Sequence, residues 1–477
     1  MTERAQIESY LQSFALEECL DEAINEVVER RPANPYMAIA TFMESKTIAE
    51  VLDVRIACCL VGRSLCGVEV SVVTNISSFS AIANDMTYAS NTEGDMIREY
   101  AVLQEKARDS LKGLDPRNIV AVDETIAQIP GMEKSVALAL SMACCRAGAR
   151  HKGLPLYRFL ADLAGTSPGI PVPVVSVLTR ATAGSIAVTQ NITVTPTTPS
   201  FVEGAFEAVL KASLVVQRFL DTNKTPNTVT DSGCPCVTLG TLQEAVALVK
   251  AAFAEEMPEG GLKLGVDVRA GDVSVVEDDL LQYRFDVSEG PATLGEDLVD
   301  AVVGLWRDTE LISVEDPVAV TDAEALRQLK EKVAAGAAEL KDGDLAYNVG
   351  GVGGEVGCIL QIVADRGIAK PEQIAALAEE MVFNAVKVRL RKVGSVSAAM
   401  AIGKACQQAQ IAVILGCDEG APECPDNFLA DLAVAMGVGQ FAAGGLAACE
   451  YSCKYQRVLE IARSDESLPY TGKRFRK

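Results

Sequence analysis

The chain holds a single histidine, His151, among 477 residues. Any mechanism that needs two histidines is thereby excluded. Basic residues are also scarce. There are 43 Lys and Arg against 65 Asp and Glu, a net charge of −22. So acidic a chain repels nucleic acid and anionic lipid unless its charges are segregated, and no basic block segregates them. Neither nucleic acid nor membrane is expected as a partner. No apolar run approaches the ~18–20 residues of a membrane-spanning helix. The opening Met1-Thr2-Glu3-Arg4 is polar and lacks the pattern of a secretory signal. Spaced cysteine pairs are missing too. The fourteen cysteines are scattered, and neither Cys234-Pro-Cys236 nor Cys449-x-x-x-Cys453 has zinc-ribbon spacing. A disulfide framework does not fit so long a chain. A reducing, cytoplasmic compartment is expected.

What is present is globular material, 49% hydrophobic and 23% charged. Residues 1–46 read as a short helical module. Leu16, Leu20, Ile24 and Val27-Val28 form one apolar stripe at three- and four-residue steps. Arg30-Arg31 suit the last turn of that helix. Pro32 and Pro35 break it, and a second stripe follows at Tyr36, Ile39 and Met43. Two such helices need a partner to bury their stripes, either a second copy or the rest of the chain. Residues 47–168 mix strand and helix. Val68–Val73 alternates as a strand, and Ser135–Arg150 reads as an Ala-rich helix.

From 169 to 477 the rhythm changes. Apolar strand candidates at Ile192–Val194, Gly265–Val268, Leu311–Val314, Ile362–Ala364, Ala385–Leu390 and Ala412–Leu415 alternate with helices. The helices include Leu242–Phe253, Gly295–Trp306, Glu372–Glu380 and Ser397–Gln408. The pattern predicts an α/β fold with a parallel sheet, closed into a barrel. An Ala- and Gly-rich insertion near 330–358 interrupts it. Three strands end in a carboxylate: Asp267, Glu315 and Asp365. At a barrel mouth such a trio suits a hard cation such as Mg²⁺.

Two resemblances follow from particular residues. The run from Tyr10 to Met43, and above all Arg31-Pro-Ala-Asn-Pro35, resembles the dimerisation/docking helices of the RIIα type. That implies a four-helix dimer whose groove takes an amphipathic helix from a partner. Leu16, Leu20, Ile24, Ile39 and Met43 would form the docking face. The alternative is a helical extension packed on its own body. From about residue 48 onward the sequence resembles enolase. The matching runs include Leu154-Pro-Leu-Tyr157, Pro171-Val-Pro173, Gly265-Val-Asp-Val268, Ser313-Val-Glu-Asp-Pro317, Val363-Ala-Asp365, Phe428-Leu-Ala-Asp-Leu432, Gly439-Gln440 and Tyr470-Thr-Gly-Lys-Arg-Phe475. The resemblance implies a small α+β domain before an α/β (TIM-type) barrel, a homodimer, Mg²⁺ as cofactor, and reversible dehydration of 2-phosphoglycerate.

The reactive positions depart from that pattern. Arg389 stands where the base is expected, and a guanidinium keeps its proton. Lys387, two residues earlier on the same face of the strand, would rescue a base only by a register slip. Ser232 and Asn191 stand in the two acid positions. The segment Thr179–Gly184 lacks the expected histidine, and Asn75–Ser78 replaces a mobile Ser-rich loop. Cys417, Asp418 and Glu419 replace the phosphate clamp, and Ala442 replaces a substrate-binding lysine. Two carboxylates repel a phosphate rather than grip it. His151, at a helix end, reads as a surface cation.

The expectation is an enolase-like pseudoenzyme, a structural or scaffold subunit that docks a partner helix. The RIIα resemblance implies a ciliary or flagellar axoneme or another cytoskeletal, microtubule-associated setting. The rivals are a Mg²⁺-dependent lyase acting on a non-phosphorylated acid with Lys387 as base, and a regulatory partner of an active enolase. If Arg389 pairs with Asp365 or Glu315, the trio is structural instead of metal-binding.

Overall fold

The computed structural model describes residues 3–62, 65–84, 93–182, 185–197, 199–257, 261–277, 279–285, 292–339, 360–380, 382–417 and 423–472. Three helices open the chain: α1 (Glu3–Ser13), α2 (Leu16–Arg30) and α3 (Pro35–Ser45). The first is additional to the two expected. Arg31 stops α2 by adopting a left-handed conformation, φ 49°. Asn34 starts α3 by accepting the Met37 N–H at 3.1 Å, with Pro35 in the first turn. The Arg-Pro-Ala-Asn-Pro run is thus a stop-and-start signal. Ala23 of α2 is buried, and Cys19 Sγ lies 3.9 Å from Met43 Sδ across the α2–α3 contact. The far side of α3 rests on the body, where Glu44 pairs with Arg150.

A three-stranded antiparallel meander follows, β1 (Val51–Gly62), β2 (Leu65–Thr74) and β3 (Ser78–Asn84). Val54 and Ile56 on β1 and Val68, Val70 and Val72 on β2 alternate inward and are buried. They pack against helices Glu93–Leu111 and Lys134–His151. Asn75–Ser78 is the tight turn between β2 and β3, held by Thr74 N–H donating to Ser77 O at 2.9 Å.

The barrel strands are Val172–Thr182, Ser185–Pro196, Leu262–Asp267, Ser313–Glu315, Gln361–Ala364, Ala385–Val388, Ala412–Gly416 and Gln440–Gly444. The eighth pairs with the first and closes the ring. The expected barrel is there, with one correction: the second strand runs antiparallel to both neighbours. Only two residues join it to the first, too few for a parallel crossover. The eighth strand, Gln-Phe-Ala-Ala-Gly, escaped the sequence reading because small residues give it no apolar signature. The expected insertion begins as helix Ala323–Glu339, and residues 340–359 lie outside the described residues. Among the described residues no helix is long and apolar enough to cross a membrane.

The small sheet is clamped over the barrel mouth by Asp426. Its carboxylate takes two hydrogen bonds from Arg146, at 2.9 and 2.7 Å, and one from the Ile82 N–H at 3.0 Å. Asp123 and Ser141 accept the N–H groups of Ser397 and Val396, both at 3.0 Å, at the start of helix Val396–Gln408.

His151 corrects the sequence reading. It is fully buried, and neither ring nitrogen has a hydrogen-bond partner. Its helix is covered on this side by the turn at Gly153 and by α3, whose Thr41 Cγ2 would lie 3.2 Å from a Cβ at Gly153. Burial lowers its pKa, and the Arg117 guanidinium adds to this against Asp115 and Glu44. The folded chain therefore refuses a proton that the unfolded chain accepts below pH 6.5. Stability is lost as pH falls through that window. Urea melts at about pH 7.5 and about pH 5.5 check this: His151→Leu should lose less stability on acidification than wild type.

Candidate functional site

Register sets the site. Glu315 pairs with Asp267, and Asn191 pairs with Asp267 from the other side. Asp365 follows the strand whose Val363 pairs with Glu315. The three sequence-predicted carboxylates therefore meet at the C-terminal mouth of the barrel. Lys387 and Arg389 project into the same space from the next strand and the residue after its end. Both are buried, 2 and 3% exposed.

The cations are engaged. Lys387 Nζ lies 3.0 and 3.3 Å from the two Glu315 oxygens. Gly416 makes room for this lysine, since a Cβ there would stand 2.5 Å from Lys387 Cε and 2.7 Å from Ala442 O. Arg389 Nε sits 2.6 Å from Asp365 Oδ1. Sequence reasoning missed the third cation. Arg366 directly follows Asp365, and its guanidinium makes a forked pair with Asp267 at 2.8 and 3.1 Å. The same Nη1 is 3.1 Å from Asp365 Oδ2. The signal was an arginine one position beyond the last carboxylate of a matched motif.

Electrostatics follow from burial. Burial opposes charge on Asp365, but Arg389, Arg366 and Lys387 outweigh it and hold the carboxyl well below its ordinary range. Glu315 is pushed up by burial, with Lys387 opposing and Asp267 and Asp365 adding to the rise. Asp316 is raised to about 7 by burial, against Arg366. Every oxygen of the trio Asp267, Glu315 and Asp365 has a side-chain nitrogen within 3.3 Å. The residues as arranged do not fit Mg²⁺, which needs such oxygens free at ~2.1 Å in an octahedral shell. Among the described residues no group of acids, cysteines and histidine is poised for a metal.

The other positions come together as well. Thr179 Oγ1 and Ser232 Oγ donate to Asn191 Oδ1 at 2.9 and 3.0 Å, and Cys234 Sγ is 3.2 Å from Thr179 Oγ1. This neutral network stands beside Asp267, in the acid positions. Cys417 and Ala442 are buried neighbours, joined by Cys417 N–H to Ala442 O at 3.0 Å. Asp418 and Glu419 lie outside the described residues. Between Ile82, Met142, Arg389, Cys417 and Lys454 a cavity of about 50 Å³ remains. That holds a water or two, whereas small-molecule sites span about 300–1,000 Å³.

Proton abstraction needs a neutral base with a free path to its proton. Among the described residues, Lys387 is the amine that reaches the trio, and it is bound to a carboxylate. If that pair is structural, Lys387→Met should cost about 3–5 kcal/mol by leaving Glu315 buried beside other acids. Lys387→Met/Glu315→Gln should recover roughly half of the loss in urea melts.

Comparison with known proteins agrees with this geometry. The enolase C-terminal TIM barrel domain matches residues 168–348 and 346–477. Cytosolic enolase 3 of Arabidopsis thaliana is 24% identical over 95% of this chain and 96% of its own length. Enolase of Campylobacter jejuni is 26% identical over 78% of this chain and 84% of its own. Enolase 2 of Hevea brasiliensis is 25% identical over 77% of this chain and 81% of its own. Closed barrel, carboxylate trio and matched domain together place the chain in the enolase family.

Proposed function

We propose that this chain is a catalytically inactive enolase relative that serves as a structural or scaffold subunit. The observation that carries this reading is the Arg389 guanidinium at the base position, 2.6 Å from Asp365. A permanently protonated group cannot take a proton. The tied Lys387, the neutral Ser232–Asn191 network and the small cavity support the same reading. Loss of one general acid or base costs about 10²–10⁴-fold, and here both positions are replaced. Purified protein with 2-phosphoglycerate and saturating Mg²⁺ should turn over no faster than Arg389→Ala. Turnover that disappears in that variant would overturn the reading.

The scaffold role rests on the N-terminal helices. Leu20, Ile24 and Val28, one stripe of α2, are 44, 50 and 65% exposed. Ile7, Tyr10 and Phe14 extend the apolar surface along α1. Of the predicted docking face, Leu20 and Ile24 are open, whereas Leu16, Ile39 and Met43 are half-covered. Glu17 and Asp21, both exposed, stand one turn from Leu20 and Ile24 on the same helix, which favours a basic amphipathic helix as partner. The Arabidopsis alignment spans 95% of the chain, more than residues 47–477 alone can fill. Docking modules resembling this one operate in cilia and flagella, so an axonemal or other cytoskeletal assembly is the proposed setting, with the chain as a homodimer. A Leu-striped, Lys-flanked helical peptide should bind the full-length protein in fluorescence anisotropy, and Ile24→Asp should weaken it at least ~10-fold. Equal binding by wild type and variant, or none by either, would overturn the docking reading. Light scattering should give twice the 50.5 kDa of one chain.

A further inference from the structure

The carboxylate trio is loaded with an internal cation. We infer that the Arg366 guanidinium permanently takes the place of a divalent metal ion at the barrel mouth, so that the protein holds its site without metal. The proposal rests on contact geometry and does not depend on whether the chain is catalytically inactive.

Arg366 Nη1 lies 2.8 Å from Asp267 Oδ1, 3.1 Å from Asp365 Oδ2, 3.7 Å from Asp316 Oδ2 and 3.8 Å from Glu315 Oε1. One nitrogen is therefore within 4 Å of four carboxylates, at the point where their oxygens converge. A metal ion bonded to the same oxygens at ~2.1 Å would overlap that nitrogen. The guanidinium is also anchored from behind. Its Nε donates to Asp272 Oδ2 at 2.8 Å, and Asp272 is held in turn by Arg269 at 2.8 Å. Gly271 lets the backbone close over it, since a Cβ there would stand 2.9 Å from Arg366 Cβ and 2.8 Å from Asp316 Oδ2. The side chain is 6% exposed. A flexible surface arginine swings aside for a metal. This one is fixed by hydrogen bonds to Asp267 and Asp272, with three more carboxylates within 4 Å and a turn that fits its shape.

The test is Mn²⁺ binding followed by electron paramagnetic resonance on the full-length protein, which reads the metal and not turnover. Wild type and Asp267→Asn should bind equally, since any Mn²⁺ they take sits on the acidic surface. Arg366→Ser, which vacates the position, should gain one site with at least ~10-fold higher affinity, lost again in Arg366→Ser/Asp267→Asn. The melting temperature of wild type should be the same in EDTA and in excess Mg²⁺, because a ligand that does not bind gives no stabilisation. One Mn²⁺ per wild-type chain that disappears in Asp267→Asn, or a Mg²⁺-dependent rise in its melting temperature that Asp267→Asn abolishes, would overturn the proposal. So would a folded Arg366→Ser that gains no site. If Arg366→Ser does not fold, the wild-type and Asp267→Asn measurements decide alone.

Discussion

The structure turns on how buried carboxylates are neutralised at the mouth of the barrel. A carboxylate transferred from water to a protein interior costs several kcal/mol unless a partner meets it. Asp267 and Asp365 are each 2% exposed, and they stand on strands that the register forces together. The fold can close only if cations arrive at the same place. They come from adjacent sequence: Arg366 from the residue after Asp365, Lys387 and Arg389 from the neighbouring strand, Arg269 from two residues after Asp267. The small residues nearby follow from this. Gly416 leaves space for the lysine stem, and Gly271 for the arginine.

On the proposed reading, the same solution removes the chemistry. Acid–base catalysis needs groups whose protonation state can change and whose side chains can reach a substrate. Here each cation is immobilised by the charge it neutralises. A guanidinium is the most stable choice for such a task because it stays charged at any pH the protein meets and offers a fork matched to a carboxylate. On that reading, once it is in place, the electrostatic role of a metal is filled. Metal site, base and cavity are thus linked by packing and charge. A single restored residue would not restore the others.

Much of this was legible in the sequence, and the parts that were not have physical reasons. The barrel could be read because apolar strand runs alternate with helices, and the trio because carboxylates sit at strand ends. The antiparallel second strand was hidden, since a strand's direction is set by its connection and not by its own residues. Arg366 was hidden because motif matching stops at the last matching residue, whereas the informative change was the next one. His151 was misread because a helix-end histidine is usually a solvated cation. Its burial is set by tertiary packing, including α3 against the turn at Gly153 and the neighbouring Arg117 and Asp115. The third helix, α1, was missed because its segment is mostly polar, and its few apolar residues, among them the exposed Ile7 and Tyr10, give it no marked apolar face.

That stripe contrasts with the body it is attached to. Among the described residues, eight of the twenty-one exposed large hydrophobic side chains fall within the first 37 residues. Such a concentration is not what a solvent-facing helix pair needs for its own stability. Ala23 and Cys19 already seat α2 on α3, and α3 is fastened to the body through Glu44 and Arg150. Leu20, Ile24 and Val28, on the same helix, stay 44, 50 and 65% exposed. Clustered exposed apolar surface with a polar rim is the physical mark of an interaction site. At the barrel mouth the carboxylates of Asp267, Glu315 and Asp365 lie against Arg366, Lys387 and Arg389. On the proposed docking reading, the surface for recognition lies on the helices at the other end of the polypeptide, whose apolar stripe is about half open to water.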